Sequence, residues 1–165
     1  MAASMFSGSG PVLVCYDGSP ESDHALAVAL SVLGSHAIIL VAAWQSLQTA
    51  LAESGAIATS IDLDCDDAPG TEGGADAEGR TGALDLLTAA AKRARTAGHP
   101  VSTRTAQAQG PVWQTLLAVA DEVDAVLIVT GTHGRGTLTS AVLGSVSREL
   151  IAHSGRPVLV VPNRT

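Results

Sequence analysis

Apolar positions along the chain alternate between short unbroken runs and longer stretches where they recur at helical spacing. Val12 to Tyr16 is the first unbroken run, the pattern of a strand buried on both faces. It stops at Asp17-Gly18-Ser19-Pro20. Ser19 suits a helix N-cap, Pro20 the first helical position, and Glu21 and Asp23 the first turn. The helix that follows lines up Leu26, Ala29, Leu30 and Leu33 and ends at Gly34. Ala37 to Trp44 reads as a second strand. From about Gln45 to Gly82 the periodicity fades, and Asp64-Cys65-Asp66-Asp67-Ala68-Pro69-Gly70 with Gly73-Gly74 predicts a flexible acidic loop at about 53–82. Ala83 to Ala97 is helical, with Leu84, Leu87, Ala91 and Ala94 in line and Gly98 as the stop.

Val101 to Ala108 alternates loosely, with Val101, Thr103 and Thr105 on one side, as a strand does. Gly110-Pro111 opens a helix through Glu122 that buries Leu116, Leu117 and Ala120. Ala125 to Thr130 is a strand, followed by a glycine-rich loop, a helix to about His153 and a final strand from Pro157 to Val161. This order predicts a single α/β domain, 11–165, behind a loose N-terminal tail, 1–10. Its core is a five-stranded parallel, open twisted sheet of Rossmann-like kind, with right-handed crossovers and helices on both faces. Ligands of such sheets sit beyond the carboxyl ends of the strands, which brings Asp17, Ala43 and Gly131 to one edge.

Composition narrows the function. Hydrophobic residues make up 46% of the 165 residues and aromatic ones only 2%, so the core is built from Val, Leu, Ile and Ala. The net charge is −7, which disfavours nucleic acid and anionic membranes as partners. Eight of the sixteen acidic residues lie between Glu53 and Glu78, with no base among them. The rest of the chain is near neutral and open to an anionic ligand. Cys15 and Cys65 are too few for a disulfide framework and lack zinc-site spacing, so Cys15 is expected as a core thiol. No leader or membrane-spanning run is legible, and the expected location is the cytoplasm.

The chemistry concentrates after the fourth strand. In Gly131-Thr132-His133-Gly134-Arg135-Gly136 the glycines let backbone N–H groups approach a ligand. Gly144-Ser145-Val146-Ser147 then opens the last helix, whose free N–H groups and dipole suit a phosphate. Ser145 and Ser147 add hydroxyls, or serve as plain helix caps. Arg135 adds a charge. The segment lacks the Gly-Lys-Ser/Thr ending of a Walker A loop and the order of a dinucleotide fingerprint, so loop chemistry alone leaves a phosphate site and a structural turn both open.

The spacing Gly131-x2-Gly134-x9-Gly144-Ser145 resembles the ATP-binding signature of the universal stress protein family. Val12 to Ser19 resembles that family's first strand with its terminal aspartate, Asp124 to Gly131 its fourth strand, and Gly155 to Pro162 its closing strand. The resemblance implies that Asp17, with Tyr16, Gly18 and Ser19 about it, meets the ribose or lies under the adenine. Ala43 is implied to contact the base. Gly131, His133, Gly134 and Arg135 are implied around the ribose and phosphates, and Gly144, Ser145, Val146 and Ser147 receive the phosphates. It further implies ATP, with or without Mg²⁺, as the ligand. A homodimer is implied through the last strand, Val158, Leu159, Val160 and Val161, whose exposed apolar edge a partner strand would cover. The chain departs from the pattern in its longer, more acidic segment after the second strand and in lacking a histidine near Ala43.

Blander roles stand beside these. Asp17 also suits the turn before Ser19, His133 suits a solvent-facing loop rather than a metal site, and Trp44 and Trp113 suit packing. The leading expectation is an ATP-binding regulatory protein, a switch or sensor in stress response, with no catalytic residues. The rivals are a slow ATPase on the same fold and an interaction module that binds no nucleotide and works through its acidic loop.

Overall fold

A computed structural model describes residues 10–34, 36–45, 72–133 and 143–162, the side chains of 72–76 excepted. The described elements run β1 (Val12–Cys15), α1 (Pro20–Val32), β2 (Ile38–Gln45), α2 (Glu72–Thr96), β3 (Val101–Ala108), α3 (Val112–Glu122), β4 (Leu127–Gly131), α4 (Ser145–His153) and β5 (Val158–Val161). The strands form one sheet in the order β3-β2-β1-β4-β5, every neighbouring pair parallel. This is the expected five-stranded architecture.

Alternation along β1 shows how the sheet divides its core. Val12, Val14 and Tyr16 face α1 and α2, packing with Leu26, Ala29, Leu87 and Ala94. Leu13 and Cys15 face α3 and α4, packing with Leu116, Ala120 and Leu150. Because both faces are covered, β1 shows the unbroken apolar run of a central parallel strand. None of the helices among the described residues is long and apolar enough to cross a membrane.

Three local expectations shift. The helix expected over Ala83–Ala97 begins at Glu72, so residues 72–82, expected in the acidic loop, are helical. Glycines at 73, 74, 79 and 82 hide the helical pattern from a propensity reading. Residues 53–71 of that loop lie outside the described residues. Of the stripe expected on α2, Leu87, Ala91 and Ala94 are buried, with Ala83 and Ala90 beside them, whereas Leu84 is exposed. On α3 Val119 joins Leu116 and Ala120 in the core, and Leu117 is half-buried.

Candidate functional site

The strand order reverses between β1 and β4, since β1 leads through α1 to β2 on one side and pairs with β4 on the other. The chain diverges there at the carboxyl ends of the strands and leaves a cleft. A cavity of about 970 Å³ occupies it, at the upper end of the range of small-molecule sites.

Tyr16, Asp17, Ala43, Gly131, His133, Gly144, Ser145, Val146 and Ser147 all line the cavity. Gly134 and Arg135 lie outside the described residues. Gly18 and Ser19 do not line it; they build the turn beneath. Gly18 has φ +80°, a conformation that glycine adopts without strain. Ser19 caps α1, accepting from the Ser22 N–H at 3.1 Å. Asp17 tightens the turn as its blander reading foresaw, and it also borders the cavity. Its Oδ1 accepts from the Ser19 N–H at 3.0 Å and from the Ser19 hydroxyl at 2.6 Å, and its side chain sits at the cavity wall.

The glycine positions are set by close approach. A methyl group on Gly131 would come within 2.9 Å of Glu21 Cβ on α1, and one on Gly144 within 2.9 Å of the Thr132 carbonyl oxygen. Only glycine lets β4 and the start of α4 close on their neighbours this way. The Thr132 carbonyl is the hinge pin: it accepts from the Gly144 N–H at 2.8 Å and from the Ser147 hydroxyl at 2.9 Å. Ser147, expected to offer its hydroxyl to a phosphate, spends that proton on Thr132. Gly144 brings no side chain to cap α4, so the first-turn amides of Ser145, Val146 and Ser147 have no helical carbonyl to bond. These residues all border the cavity, where the positive end of the helix dipole favours an anion.

Across the cleft, β2 overshoots β1. Pairing with β1 ends at Cys15–Val41, where the Tyr16 N–H reaches the Val41 carbonyl at 2.8 Å, while pairing with β3 continues to Gln45–Ala108. Two residues beyond Val41, Ala43 turns the same edge of its backbone toward the cleft. It presents an N–H and a C=O side by side.

His133, expected to face solvent, is half-buried, and its buried Nε2 has no hydrogen-bond partner among the described residues. Cys15 is a buried thiol on the cavity wall; burial, and then the nearby Asp17 charge, push its pKa up to about 12. Trp44, expected only to pack, both joins the core and lines the cavity. Trp113 packs as foreseen, its ring stacked on His153 at 4.9 Å between centroids.

The pattern of the sequence missed one whole wall. Glu78, Gly79, Gly82, Ala83 and Leu86 of α2 line the cavity, and Val112 and Leu116 of α3 line it from the opposite face of the sheet. Behind that wall, Arg93 of α2 donates to the Tyr16 hydroxyl at 2.8 Å and to Asp23 Oδ1 at 2.6 Å, and the Tyr16 hydroxyl donates to the same oxygen at 2.6 Å. Burial alone would raise the Asp23 carboxyl. The hydrogen bonds from Tyr16 and Arg93 outweigh it and hold the pKa below the usual value. Among the described residues, no group of three His, Cys, Asp or Glu side chains is placed to hold a metal.

The model of the Universal stress protein family matches residues 9–162. A universal stress protein of Mycolicibacterium smegmatis is 32% identical over 158 residues, 94% of this chain and 52% of that protein. Universal stress protein Sll1654 of Synechocystis is 45% identical over 62 residues, 38% of this chain and 40% of that protein. The chain thus spans about half or less of the length of these curated relatives. Among solved structures, hypothetical protein MJ0577 superposes with a TM-score of 0.74 at 20% identity, covering 95% of this chain and 98% of the other. A universal stress protein in complex with cAMP gives 0.60 at 24%, covering 93% and 98%. The Archaeoglobus fulgidus protein in complex with dAMP gives 0.60 at 19%, covering 92% and 96%.

Proposed function

The chain belongs to the universal stress protein family, and from that premise we propose that it binds an adenine nucleotide, ATP first of all, and acts as a nucleotide-dependent switch rather than an enzyme. The observation that carries the reading is the uncapped start of α4 at the cavity wall, opposite the open backbone edge of Ala43. Phosphates fit the first: the amides of Ser145, Val146 and Ser147 supply donors at a positive helix end. An adenine ring fits the second. Its Watson–Crick edge offers one acceptor and one donor, N1 and the N6 amino group, which match the N–H and C=O of Ala43. Asp17 and Gly131, from the strands on either side of the divergence, lie between these two ends, where a ribose would sit. Universal stress proteins in complex with cAMP and dAMP, which share this fold, support an adenine nucleotide as the ligand.

The reading favours holding over cutting. Among the described residues lining the cavity there is no lysine or arginine, so the phosphates would be met by amides. Phosphoryl transfer also needs a placed nucleophile and charge stabilisation at the leaving oxygen. A bound Mg²⁺ would share the phosphate charge; Asp17 and Glu78 are the carboxylates among the described residues lining the cavity.

The test is calorimetric titration of ATP, with and without Mg²⁺, alongside a phosphate-release assay. Wild-type protein binds ATP with no steady release of phosphate. Gly131→Ala and Gly144→Ala each weaken binding about tenfold or more, because the added methyl displaces Glu21 or the Thr132 carbonyl at the phosphate end. A wild type that takes up no adenine nucleotide would sink the reading, and steady turnover would convert it to an ATPase.

A further inference from the structure

Helix α2 meets the sheet's carboxyl edge at two points. Near its start Gly79 lies on the end of β2: a methyl group there would come within 3.1 Å of Trp44 Cε3 and 3.8 Å of the Gln45 carbonyl oxygen. Further along, Leu86 reaches the turn after β1, where a methyl group on Gly18 would meet Leu86 Cδ2 at 2.7 Å. The helix therefore bridges the gap between the ends of β2 and β1. Gly82 lies about one turn beyond Gly79 and one turn short of Leu86, on the same face and midway across the gap.

This is the gap into which Ala43 turns its N–H and C=O. Gly79, Gly82, Ala83 and Leu86 all line the cavity here, and a methyl group on Gly82, an exposed residue, would meet none of the described residues beyond its own helical turns within 4 Å. Among the described residues the roof is open at that point. Local structure gives no reason for a glycine in the middle of a 25-residue helix; it costs the helix about 1 kcal/mol relative to alanine. A residue that works against its own helix and borders a ligand-sized cavity points to a demand from the cavity.

We propose that Gly82 is a specificity-determining residue, whose missing side chain keeps room under α2 for the purine ring of a nucleotide held at Ala43. The inference rests on the nucleotide reading above and adds to it the wall that limits the size of the base. A branched side chain at 82 would descend into the space that the ring needs. A methyl group would not, since it meets none of the described residues within 4 Å beyond its own helix.

Calorimetric titration with ATP on the full chain, with a thermal melt of each variant, tests this. Gly82→Ala binds within about threefold of wild type, and Gly82→Leu binds about tenfold or more weakly. Both melt at or above the wild-type temperature, because each replaces a poor helix former. Thr88→Leu, an exposed change on the same helix, leaves binding unchanged and shows that leucine on α2 is not itself harmful. Wild-type binding with Gly82→Leu within threefold of it would overturn the assignment of the roof alone. Equal weakening by Thr88→Leu would overturn it too, as an effect on the helix at large. A wild type that binds no ATP would remove the nucleotide reading and this inference together.

Discussion

At the scale of single residues, the end of β1 concentrates several roles in three neighbours. Cys15 points to one face of the sheet, Tyr16 to the other, and Asp17 into the turn at the cavity. Their chemistry differs accordingly. The Cys15 thiol is protonated at neutral pH, with its pKa pushed to about 12 by burial and by Asp17, and a protonated buried thiol is a poor nucleophile. Iodoacetamide at pH 8 should leave Cys15 unmodified in the native protein and label it in denaturant, as peptide mass spectrometry will read. The same shift bears on stability. The raised folded value contributes stability that is intact below 9.0 and is lost as pH climbs from there toward about 12. The turn role of Asp17 was legible in the sequence, because an aspartate just ahead of Ser-Pro tightens a turn wherever it occurs. The hydroxyl of Ser147 was not: its bond to the Thr132 carbonyl depends on how the loop folds back, which no local spacing encodes.

At the scale of elements, most boundaries followed from caps and unbroken apolar runs. Ser19 and Pro20 open α1 as their chemistry dictates, and β3 runs from Val101 to Ala108 as read. α2 resisted, since four glycines in its first half mask a helix that tertiary contacts sustain. With it went a wall of the cavity, including Gly79, Gly82 and Leu86, which no signature motif marks. The triad of Arg93, Tyr16 and Asp23 ties α2 to β1 and α1. Arg93→Ala should cost about 1 kcal/mol at neutral pH, because the ion pair is largely exposed while the Tyr16 hydroxyl is not. The sign of its pH dependence follows from Asp23. A depressed carboxyl stabilises the fold above its ordinary value of 3.8 and loses that contribution as pH falls through the lower folded value. In chemical denaturation the gap between wild type and Arg93→Ala should therefore narrow as pH falls below 3.8 and Asp23 is protonated, leaving the part due to the Tyr16 hydroxyl bond; a gap that does not narrow down to about pH 2 would show that Asp23 contributes nothing.

For the whole molecule, the sheet has two different edges. β3 exposes Ser102, Thr103 and Arg104, a polar and charged border that discourages pairing. β5 presents Val158, Leu159 and Val160, all apolar and only half-buried. A homodimer formed by β5 against its copy would cover this edge, and sedimentation should find wild type dimeric at micromolar concentration and Val160→Lys monomeric. Layer order and parallel pairing were readable from alternating elements. The overshoot of β2 past β1 was not, because it depends on where two strands a helix apart stop pairing.

The central seam of the sheet, Val12 beside Leu127, joins distant parts of the chain. Asp17 and Ala43 belong to one side of that seam, Gly131 and Ser145 to the other, so neither half holds a finished cleft. Closing that seam is a non-local step that costs more loop-closure entropy than forming the local β1-α1-β2 unit. A nucleotide bound as proposed would need both halves, and would find its site only in the finished fold. ATP should consequently slow unfolding in stopped-flow denaturation and leave the refolding rate unchanged. The ligand would act on the lifetime of the native protein, with no part in its birth.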